Sequence, residues 1–237
     1  MLRPNTKKAV SFKKLSEDER FIKLSEENNK LKPNKDTRFL IFNLPSKITC
    51  PFATKLCKHF CYAVKAETAY PSVLPSRTKH LALSKQDDFV ERMIYTIEAY
   101  LTRPSYKDAK KIVIRIHESG DFYNQAYANK WIKIADYFRY DKRIVFMAYT
   151  KSIIFFCNSI YSDTKKYIPS NTVVRYSIWG DTNKNDIRLA KKWGIPTYSA
   201  VEHFTKDIPS QNRCRCKDCA TCNKCWTKTN KIICEIH

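Results

Sequence analysis

Residues 111–149 read KIVIRIHESGDFYNQAYANKWIKIADYFRYDKRIVFMAY, two β-branched apolar runs separated by an amphipathic helical pattern. Residues 111–117 and 143–149 predict strands, because short apolar runs rich in valine and isoleucine are typical of buried strands. Between them the apolar residues recur at helical spacing, as Tyr127 and Trp131 do. A strand, a helix and a second strand in this order form a right-handed unit whose two strands are parallel.

The same alternation continues on both sides of this unit. The predicted strands are residues 37–43, 111–117, 143–149, 171–178 and 197–201. The predicted helices are a short one that begins near Thr54, residues 76–101, the stretch around Trp131, one that begins near Ser152, and residues 183–193. Strict alternation of apolar strands and helices is typical of a parallel sheet covered by helices. We therefore predict an α/β fold, a partial or complete (β/α) barrel with parallel strands.

The barrel-like domain is predicted to span residues 37–208, between a basic N-terminal extension, residues 1–36, and a cysteine-rich appendage, residues 209–237. The first residues are polar and charged, unlike a basic-then-apolar leader. No apolar run reaches the roughly 18 residues that a membrane span needs. We expect a cytoplasmic protein without a membrane partner.

Eight of the ten cysteines lie in two tight groups. The first cysteine group is Cys50, Cys57 and Cys61, and the second cysteine group is Cys214, Cys216, Cys219, Cys222 and Cys225. Thiols this crowded either bind a metal or pair as disulfides. In a cytosolic chain of 237 residues, disulfides are neither needed for stability nor favoured by the redox environment. Such close spacings also suit tetrahedral sulfur ligation, so we predict metal binding by both groups, with a disulfide framework as the alternative.

The spacing of the second cysteine group favours one kind of metal centre. From Cys216 onward it reads C-x2-C-x2-C-x2-C, close to the run C-x2-C-x2-C-x3-C of bacterial ferredoxins. A zinc ribbon separates its two cysteine pairs by a longer segment, for which there is no room here. We therefore predict one or two [4Fe–4S] clusters, with zinc as the alternative. Cys157, within IIFFCNSI, is predicted to be a core residue.

The chain is strongly basic, with 44 Lys and Arg against 23 Asp and Glu and a formal charge of +21. This charge predicts an anionic partner, most simply nucleic acid. The alternative is a compositional bias toward lysine, as an A+T-rich genome would produce. Since no base-reading motif is recognisable, the charge predicts affinity for phosphate without base readout.

In parallel α/β folds, ligands bind at the carboxyl ends of the strands. The polar residues that follow the predicted strands would therefore line one mouth. They are Cys50, Cys57, Cys61, His117, Glu118, Ser119, Asp121, Tyr149, Thr150, Lys151, Ser177, Trp179, Asp181, Glu202 and His203. Capping of the following helix is the alternative for Asp121, Asp181 and Ser152. It does not explain Glu118, which precedes the turn.

Three motifs together resemble the phage gene product 88 family. They are CPFATKLCKHFCYA at residues 50–63, RIHESGDFYNQAYANKWIKIA at residues 115–135, and RCKDCATCNKCW at residues 215–226, which is similar to the cysteine-rich tail of that family. The resemblance covers residues 40–226. It implies a protein of a phage or another mobile element, and hence the host cell cytosol, but it implies little about activity.

A more distant similarity is to radical SAM enzymes, which are partial (β/α) barrels. In those enzymes three cysteines after the first strand hold a [4Fe–4S] cluster, and a motif rich in Gly and Glu after the second strand holds S-adenosylmethionine. Here the first cysteine group follows the first predicted strand, ESGD at 118–121 follows the second, and the aromatic Tyr62 follows the third cysteine. The spacing C-x6-C-x3-C differs from their C-x3-C-x2-C. A fourth ligand from the second cysteine group would instead close the cluster as a structural or redox centre.

This similarity implies roles for residues of the predicted mouth. Catalytic roles are implied for Glu118, Asp121, Lys151 and His203, and cofactor-binding roles for His117, Glu118, Ser119, Gly120 and Trp179. With Lys151, Trp179 and His203, Arg175 is expected to face the substrate.

Three functions are compatible with these patterns. The leading hypothesis is an iron–sulfur protein, similar to radical SAM enzymes, that acts on or with nucleic acid. The second is a non-catalytic nucleic-acid-binding protein with a structural zinc or iron–sulfur site. The third is a metal-dependent nuclease that uses Glu118, Asp121, Asp181 and Glu202.

Overall fold

The computed structural model describes residues 11–28, 31–157, 167–214, 218–227 and 231–236. Six strands in these residues form one parallel sheet, in which each strand pairs with the next along the chain. The strands are β1 Thr37–Phe42, β2 Lys111–Ile116, β3 Ile144–Thr150, β4 Thr172–Ile178, β5 Thr197–Val201 and β6 Lys231–Glu235. The α-helices are α1 Phe12–Ser16, α2 Lys55–His59, α3 Tyr62–Ala69, α4 Val73–Lys85, α5 Phe89–Leu101, α6 Pro104–Lys107, α7 Gln125–Tyr137, α8 Lys184–Lys192 and α9 Cys219–Cys222.

The α/β class and the parallel sheet are confirmed, and each of the five predicted strands is present with ends that differ by at most one residue. The sheet is open, since its edges β1 and β6 do not pair with each other in the described residues. Both edges are covered by other segments instead. Ser25 forms an antiparallel bridge with Ile41, and Arg213 forms a parallel bridge with Ile233. These bridges occupy backbone groups that a closed barrel would use, so the expectation of a complete barrel is wrong.

Two helix predictions differ from the structure. The helix expected over residues 76–101 is two helices, α4 and α5, because Gln86 adopts an extended conformation with φ −68° and ψ 149°. The helix expected from Ser152 is a short 3₁₀ turn, Ile153–Phe155, and the Ser152 side chain makes no capping hydrogen bond. The continuation expected over residues 158–166 lies outside the described part of the chain.

Side chains alternate between the two faces of the sheet, as the pleat requires. On the helix face, Leu40, Ile114 and Phe146 join a large core with Phe89 of α5 and Trp131 of α7. The opposite face, here called the tail face, has a separate cluster. It consists mainly of Phe39, Ile41, Val113 and Met147 from the strands, with Ala220 and Trp226 from the C-terminal segment. The residues predicted as a cysteine-rich appendage therefore cover the sheet, and they also supply β6, which the sequence pattern did not predict.

The N-terminal segment also contributes to the core. Ile22 and Leu24 are buried against α5, where the Ile22 N–H donates to Thr96 Oγ1 at 2.8 Å and the Leu24 N–H to the Tyr100 hydroxyl at 3.2 Å. The described part of the predicted N-terminal extension is therefore packed against the domain. Across the described helices, none has the length and apolar character of a membrane span.

Candidate functional site

The loops after β1 and β2 are joined by hydrogen bonds at the carboxyl end of the sheet. Asn43 Oδ1 accepts from the backbone N–H groups of Glu118 and Ser119, at 2.7 and 3.0 Å. The Leu44 N–H donates to the Ser119 carbonyl at 2.9 Å, and Ser119 Oγ donates to the Leu44 carbonyl at 2.9 Å. Ser119, for which a cofactor-binding role was expected, is buried and holds the two loops together.

Gly120 lies where these loops touch, with φ +83°. A Cβ atom at this position would lie 2.6 Å from both Leu44 Cβ and Thr49 Oγ1. We expect Gly120→Ala to lower the free energy of unfolding by about 2–4 kcal/mol in urea denaturation, because left-handed strain and overpacking add. Gly194→Ala is the control, since Gly194 has φ +61° but no atom within 4 Å of an added Cβ. Equal losses in the two variants would contradict the importance of the close contact.

Glu67 on α3 holds the start of the first cysteine loop. Its carboxylate accepts hydrogen bonds from the Ser46 N–H at 2.8 Å, from Ser46 Oγ at 2.6 Å and from Arg77 Nη1 at 2.8 Å. Burial favours the neutral acid, but the hydrogen bonds from Ser46 and Arg77 outweigh it and lower the pKa of Glu67 below its usual 4.5. The ionised form of Glu67 is therefore the one that stabilises the fold.

We expect Glu67→Gln to lower the free energy of unfolding by about 2 kcal/mol at neutral pH. Because the pKa of Glu67 is lowered in the folded state, its stabilisation is complete above pH 4.5 and is lost as the pH falls through the folded pKa. The difference between the two proteins should therefore shrink below about pH 4.5 in urea denaturation. Glu17→Gln, at an exposed position, is the control. A difference that persists unchanged in acid would rule out this role.

The thiols of the first cysteine group share one half-buried neighbourhood. Cys57 lies on α2, and Cys61 directly precedes α3. Burial raises the pKa of Cys50 to about 12, with further contributions from the Asp121 carboxylate and from the other two thiols. Burial also raises the pKa of Cys57, against the opposing effect of the Lys151 ammonium. The thiols of Cys57 and Cys61 are thus close enough to Cys50 to raise its pKa further.

No three His, Cys, Asp or Glu side chains of the described residues are placed so that they could hold a metal ion. The thiols of the first cysteine group therefore share a neighbourhood without converging on one point. Their chemistry nevertheless fits a metal centre, because a bound cation favours the thiolate forms that burial and neighbouring anions disfavour. The four carboxylates of the nuclease hypothesis form no such group either.

Asp121 is buried and joins the ends of β2 and β3. Its Oδ1 accepts from Thr150 Oγ1 at 2.6 Å, and its Oδ2 accepts from the Lys151 N–H at 2.9 Å. Burial raises the pKa of Asp121, while these hydrogen bonds oppose the rise. The N-cap of α7 is Asn124, whose side chain accepts from the Tyr127 N–H at 2.8 Å. The capping interpretation of Asp121 is therefore wrong.

Lys151 is buried within electrostatic reach of the first cysteine group. Its Nζ donates to the Ser177 carbonyl at 3.0 Å and lies 3.4 Å from Thr182 Oγ1. Burial lowers the pKa of Lys151, and the negative charges of Cys57 and Asp181 oppose this effect. Lys151 thus links β3 to β4 and places a cation beside the thiols.

His117 and Glu118 face different surroundings. His117 has φ +63°, and its ring stacks on Tyr127 in the helix-face core, with Nε2 2.8 Å from the Tyr127 hydroxyl. Burial lowers the pKa of His117 to about 3, so the ring is neutral. The Glu118 carboxylate accepts from Asn28 Nδ2 at 2.7 Å, and the Glu118 carbonyl accepts from the Tyr62 hydroxyl. The structure therefore places Glu118 beside the cysteine loop and His117 in the core.

A groove of about 510 Å³ opens at the carboxyl ends of β4, β5 and β6. In its wall Trp179 stacks on Phe60, with 6.0 Å between the ring centroids and 13° between the planes. The groove is lined by Leu56, Phe60, Trp179, Gly180, Ala200, Val201, Glu202, His203, Thr205, Ile208 and Ile236. A smaller cavity of about 230 Å³ lies beside Trp226 at the amino ends of the strands. Because ligands of parallel sheets bind at the carboxyl ends, the larger groove is the better candidate.

The sequence patterns predicted Trp179, Glu202 and His203 at this mouth but not the residues that α2 contributes to the groove. Asp181 explains how α2 comes to lie there, since its Oδ2 accepts from the Leu56 N–H at 2.8 Å. Burial alone would raise the pKa of Asp181, but hydrogen bonds, with the one from the Leu56 N–H first among them, outweigh burial and lower this pKa. The side chain of Asn183 caps α8 instead, so the expected capping by Asp181 is wrong.

Arg175 holds the second cysteine group against the tail face. It is fully buried, and it donates to the carbonyls of Lys224 at 2.9 Å, Cys225 at 2.8 Å and Thr227 at 2.7 Å. Arg175 was expected to face the substrate, but it anchors this segment instead. Cys216 lies outside the described residues.

The thiol of Cys225 lies among the polar residues of the tail face. Burial raises the pKa of Cys225, while a hydrogen bond with Tyr149 and the charges of Arg115 and Arg175 oppose the rise. The Arg115 guanidinium lies 4.0 Å from the centroid of the Tyr149 ring. Nearby, the Cys214 N–H donates to the Ile233 carbonyl at 2.6 Å. Of the second cysteine group, Cys219 and Cys225 thus pack against the tail face and are half-buried.

Comparison with known proteins gives one match. No curated protein and no solved structure matches the chain. A family model described as Gene product 88 matches residues 13–228, which is most of the sequence. This match confirms the resemblance that the three motifs indicated, and the chain belongs to the gene product 88 family.

Proposed function

We propose that this protein binds a [4Fe–4S] cluster through the first cysteine group and acts on nucleic acid, as a partial (β/α) barrel similar to radical SAM enzymes. One observation carries this proposal. Cys50, Cys57 and Cys61, which are separated by loops and short helices, share one half-buried neighbourhood beyond β1. Ligands of parallel α/β folds bind at this end of the strands.

The electrostatics of the site favour a cationic occupant. Burial raises the pKa values of Cys50 and Cys57, and the Asp121 carboxylate and neighbouring thiols raise them further, so a nearby cation would favour the thiolate forms. Iron–sulfur clusters are held by thiolates, and their positive iron ions favour these forms. The buried ammonium of Lys151 would offset part of the remaining negative charge.

S-adenosylmethionine is the cofactor that the similarity to radical SAM enzymes implies. A reduced cluster supplies one electron to that molecule when both are bound. In this chain Glu118 is the residue proposed to contact it. Its backbone carbonyl accepts from the hydroxyl of Tyr62, directly after Cys61, and its carboxylate accepts from Asn28 Nδ2 at 2.7 Å. Ser119 and Gly120 would contribute by holding the loop close to β1, because both already contact Leu44.

Anaerobic purification tests the metal part of this proposal. We expect brown protein with about four irons and an equal amount of sulfide per cluster. Cleavage of S-adenosylmethionine by the dithionite-reduced protein would support the enzymatic part. Colourless protein that contains only zinc would refute the cluster, and a cluster that leaves S-adenosylmethionine intact would refute the enzymatic part alone.

A second candidate is a non-catalytic nucleic-acid-binding protein with a structural zinc or iron–sulfur centre in the second cysteine group. It is favoured by the position of that group, which is anchored on the tail face by Arg175 and Trp226. A centre there would stabilise the fold, as structural metal sites do. Chelation of the metal should then expose the C-terminal segment to protease and lower the melting temperature. The protein should still bind nucleic acid, and it should catalyse no reaction on it.

The nucleic-acid part of both candidates is supported by the formal charge of +21. Binding dominated by phosphate contacts weakens steeply as salt rises. As a protein of a phage family, the chain is proposed to work in the host cell cytosol, where thiols remain reduced and available to metal.

A further inference from the structure

We infer that the groove at the ends of β4, β5 and β6 binds one base of a single-stranded nucleic acid. This inference rests on the nucleic-acid part of the proposed function. It adds where the nucleic acid binds, and that the nucleic acid is single-stranded there. The first observation is the stacked pair of Phe60 and Trp179, since Phe60 remains 38% exposed and Trp179 is half-buried. Every base has a flat face that stacks on an aromatic ring, and single-stranded nucleic acids use such platforms.

The dimensions and lining of the groove suit a nucleotide base. A volume of about 510 Å³ falls within the range of small-molecule sites. Its lining is mainly apolar and includes Leu56, Val201 and Ile236, and it also contains the polar residues Glu202 and His203. The Glu202 carboxylate can accept a hydrogen bond from an exocyclic amino group, and either ring nitrogen of His203 can contact a base edge. The base of a paired duplex lies inside the stack and cannot enter such a groove.

The positive charges around the groove suit the phosphates of a single-stranded nucleic acid. Lys55 and Lys58 are exposed on α2, the same helix that contributes Leu56 and Cys57. Lys206 is exposed in the segment after β5, close in sequence to the lining residue Thr205. An aromatic platform beside exposed lysines is the combination that binds single strands without sequence preference.

Fluorescence anisotropy with labelled oligonucleotides tests this inference. The probes are a 12-nucleotide single-stranded DNA of mixed sequence, the RNA of the same sequence, and the corresponding DNA duplex. We expect Trp179→Ala to weaken binding of single strands by roughly five- to hundredfold and to leave duplex binding unchanged. The DNA and RNA probes show which nucleic acid is preferred.

Three further variants separate stacking from charge and from misfolding. Trp179→Phe retains an aromatic ring and should retain most of the affinity. Lys55→Gln with Lys58→Gln should weaken binding to single strands and duplex alike. It should reduce the slope of log affinity against log salt by about 1.4 for single strands and about 1.8 for the duplex, because two phosphate contacts are lost. Tyr140→Ala removes a ring that is 80% exposed before β3, at the amino end of the sheet, and should change nothing. Circular dichroism shows whether each variant is folded.

The possible outcomes are distinct. If the native protein binds single strands and folded Trp179→Ala binds them equally well, the groove is not the site, although the proposed function stands. If the native protein binds no nucleic acid, the nucleic-acid part of the proposed function fails together with this inference. The iron content of the protein still tests separately whether it holds a cluster. If Trp179→Ala changes sedimentation from dimer to monomer without affecting single strands, the groove is an interface between two copies and the inference is wrong.

Discussion

Replacing Cys57 with alanine is expected to remove one cluster's iron and sulfide, about four of each, from the anaerobically purified protein. The reason is that the first cysteine group supplies three thiols from one neighbourhood, and two remaining thiols cannot hold a cluster that needs at least three. Cys50→Ala and Cys61→Ala should have the same effect. Iron and sulfide analysis, with electron paramagnetic resonance of the reduced protein, measures the loss.

The matched control for these variants is Cys157→Ala. Cys157 is fully buried in a small core with Ile153 and Tyr176, away from both cysteine groups, so its variant should keep all of its iron. Cys225→Ala shows whether a second centre is present, because it should remove only the iron of the second cysteine group. Full iron in folded Cys57→Ala would contradict the proposed cluster.

The second large effect is expected for Arg175→Lys, which should lower the free energy of unfolding by about 3–5 kcal/mol. The Arg175 guanidinium is fully buried and donates to three backbone carbonyls at once. A lysine ammonium keeps the charge but lacks the planar fork that reaches all three acceptors. The carbonyls left without a donor, and the poorly paired buried charge, cause the loss.

Urea denaturation measures this loss, and limited proteolysis locates it. Cleavage should begin in the C-terminal segment that contains Lys224 and Thr227, because their carbonyls lose their donor. Arg188→Lys on α8 is the control, since Arg188 is exposed and bonds only to the nearby Asn185 side chain in the described residues. Equal stability of Arg175→Lys and the native protein would show that the segment is held by other contacts.

Much of the fold is predictable from the sequence for a simple reason. Strands β1 to β4 are buried on both faces, so that they appear as continuous apolar runs with an obvious boundary. The break between α4 and α5 was missed because residues 86–88, Gln-Asp-Asp, are also typical of an exposed helical surface. The strand β6 was missed because KIICE is short and follows a dense run of cysteines, whose metal-binding pattern dominates the segment.

The site was predictable only in part. The rule that ligands bind beyond strand ends correctly brought the first cysteine group near Asp121 and Lys151. It could not show that Asp121 and Asp181 satisfy backbone N–H groups of distant loops, because such partners depend on tertiary contacts. Arg175 was expected to face the substrate on the similarity to radical SAM enzymes. Its partners come from a segment about 50 residues later, and no local pattern indicates that return.

The short helix α2 has a thermodynamic consequence. It contains Leu56, which lines the groove, and Cys57 of the first cysteine group, and it ends beside Phe60. The groove and the first cysteine group therefore share this helix of five residues. Asp181 fixes the first turn of that helix. If an ion on Cys57 shifts α2 and thereby changes the affinity of the groove, linkage requires a ligand in the groove to change the affinity for the ion by the same factor. Titrating either occupant with and without the other would give one coupling free energy from both directions.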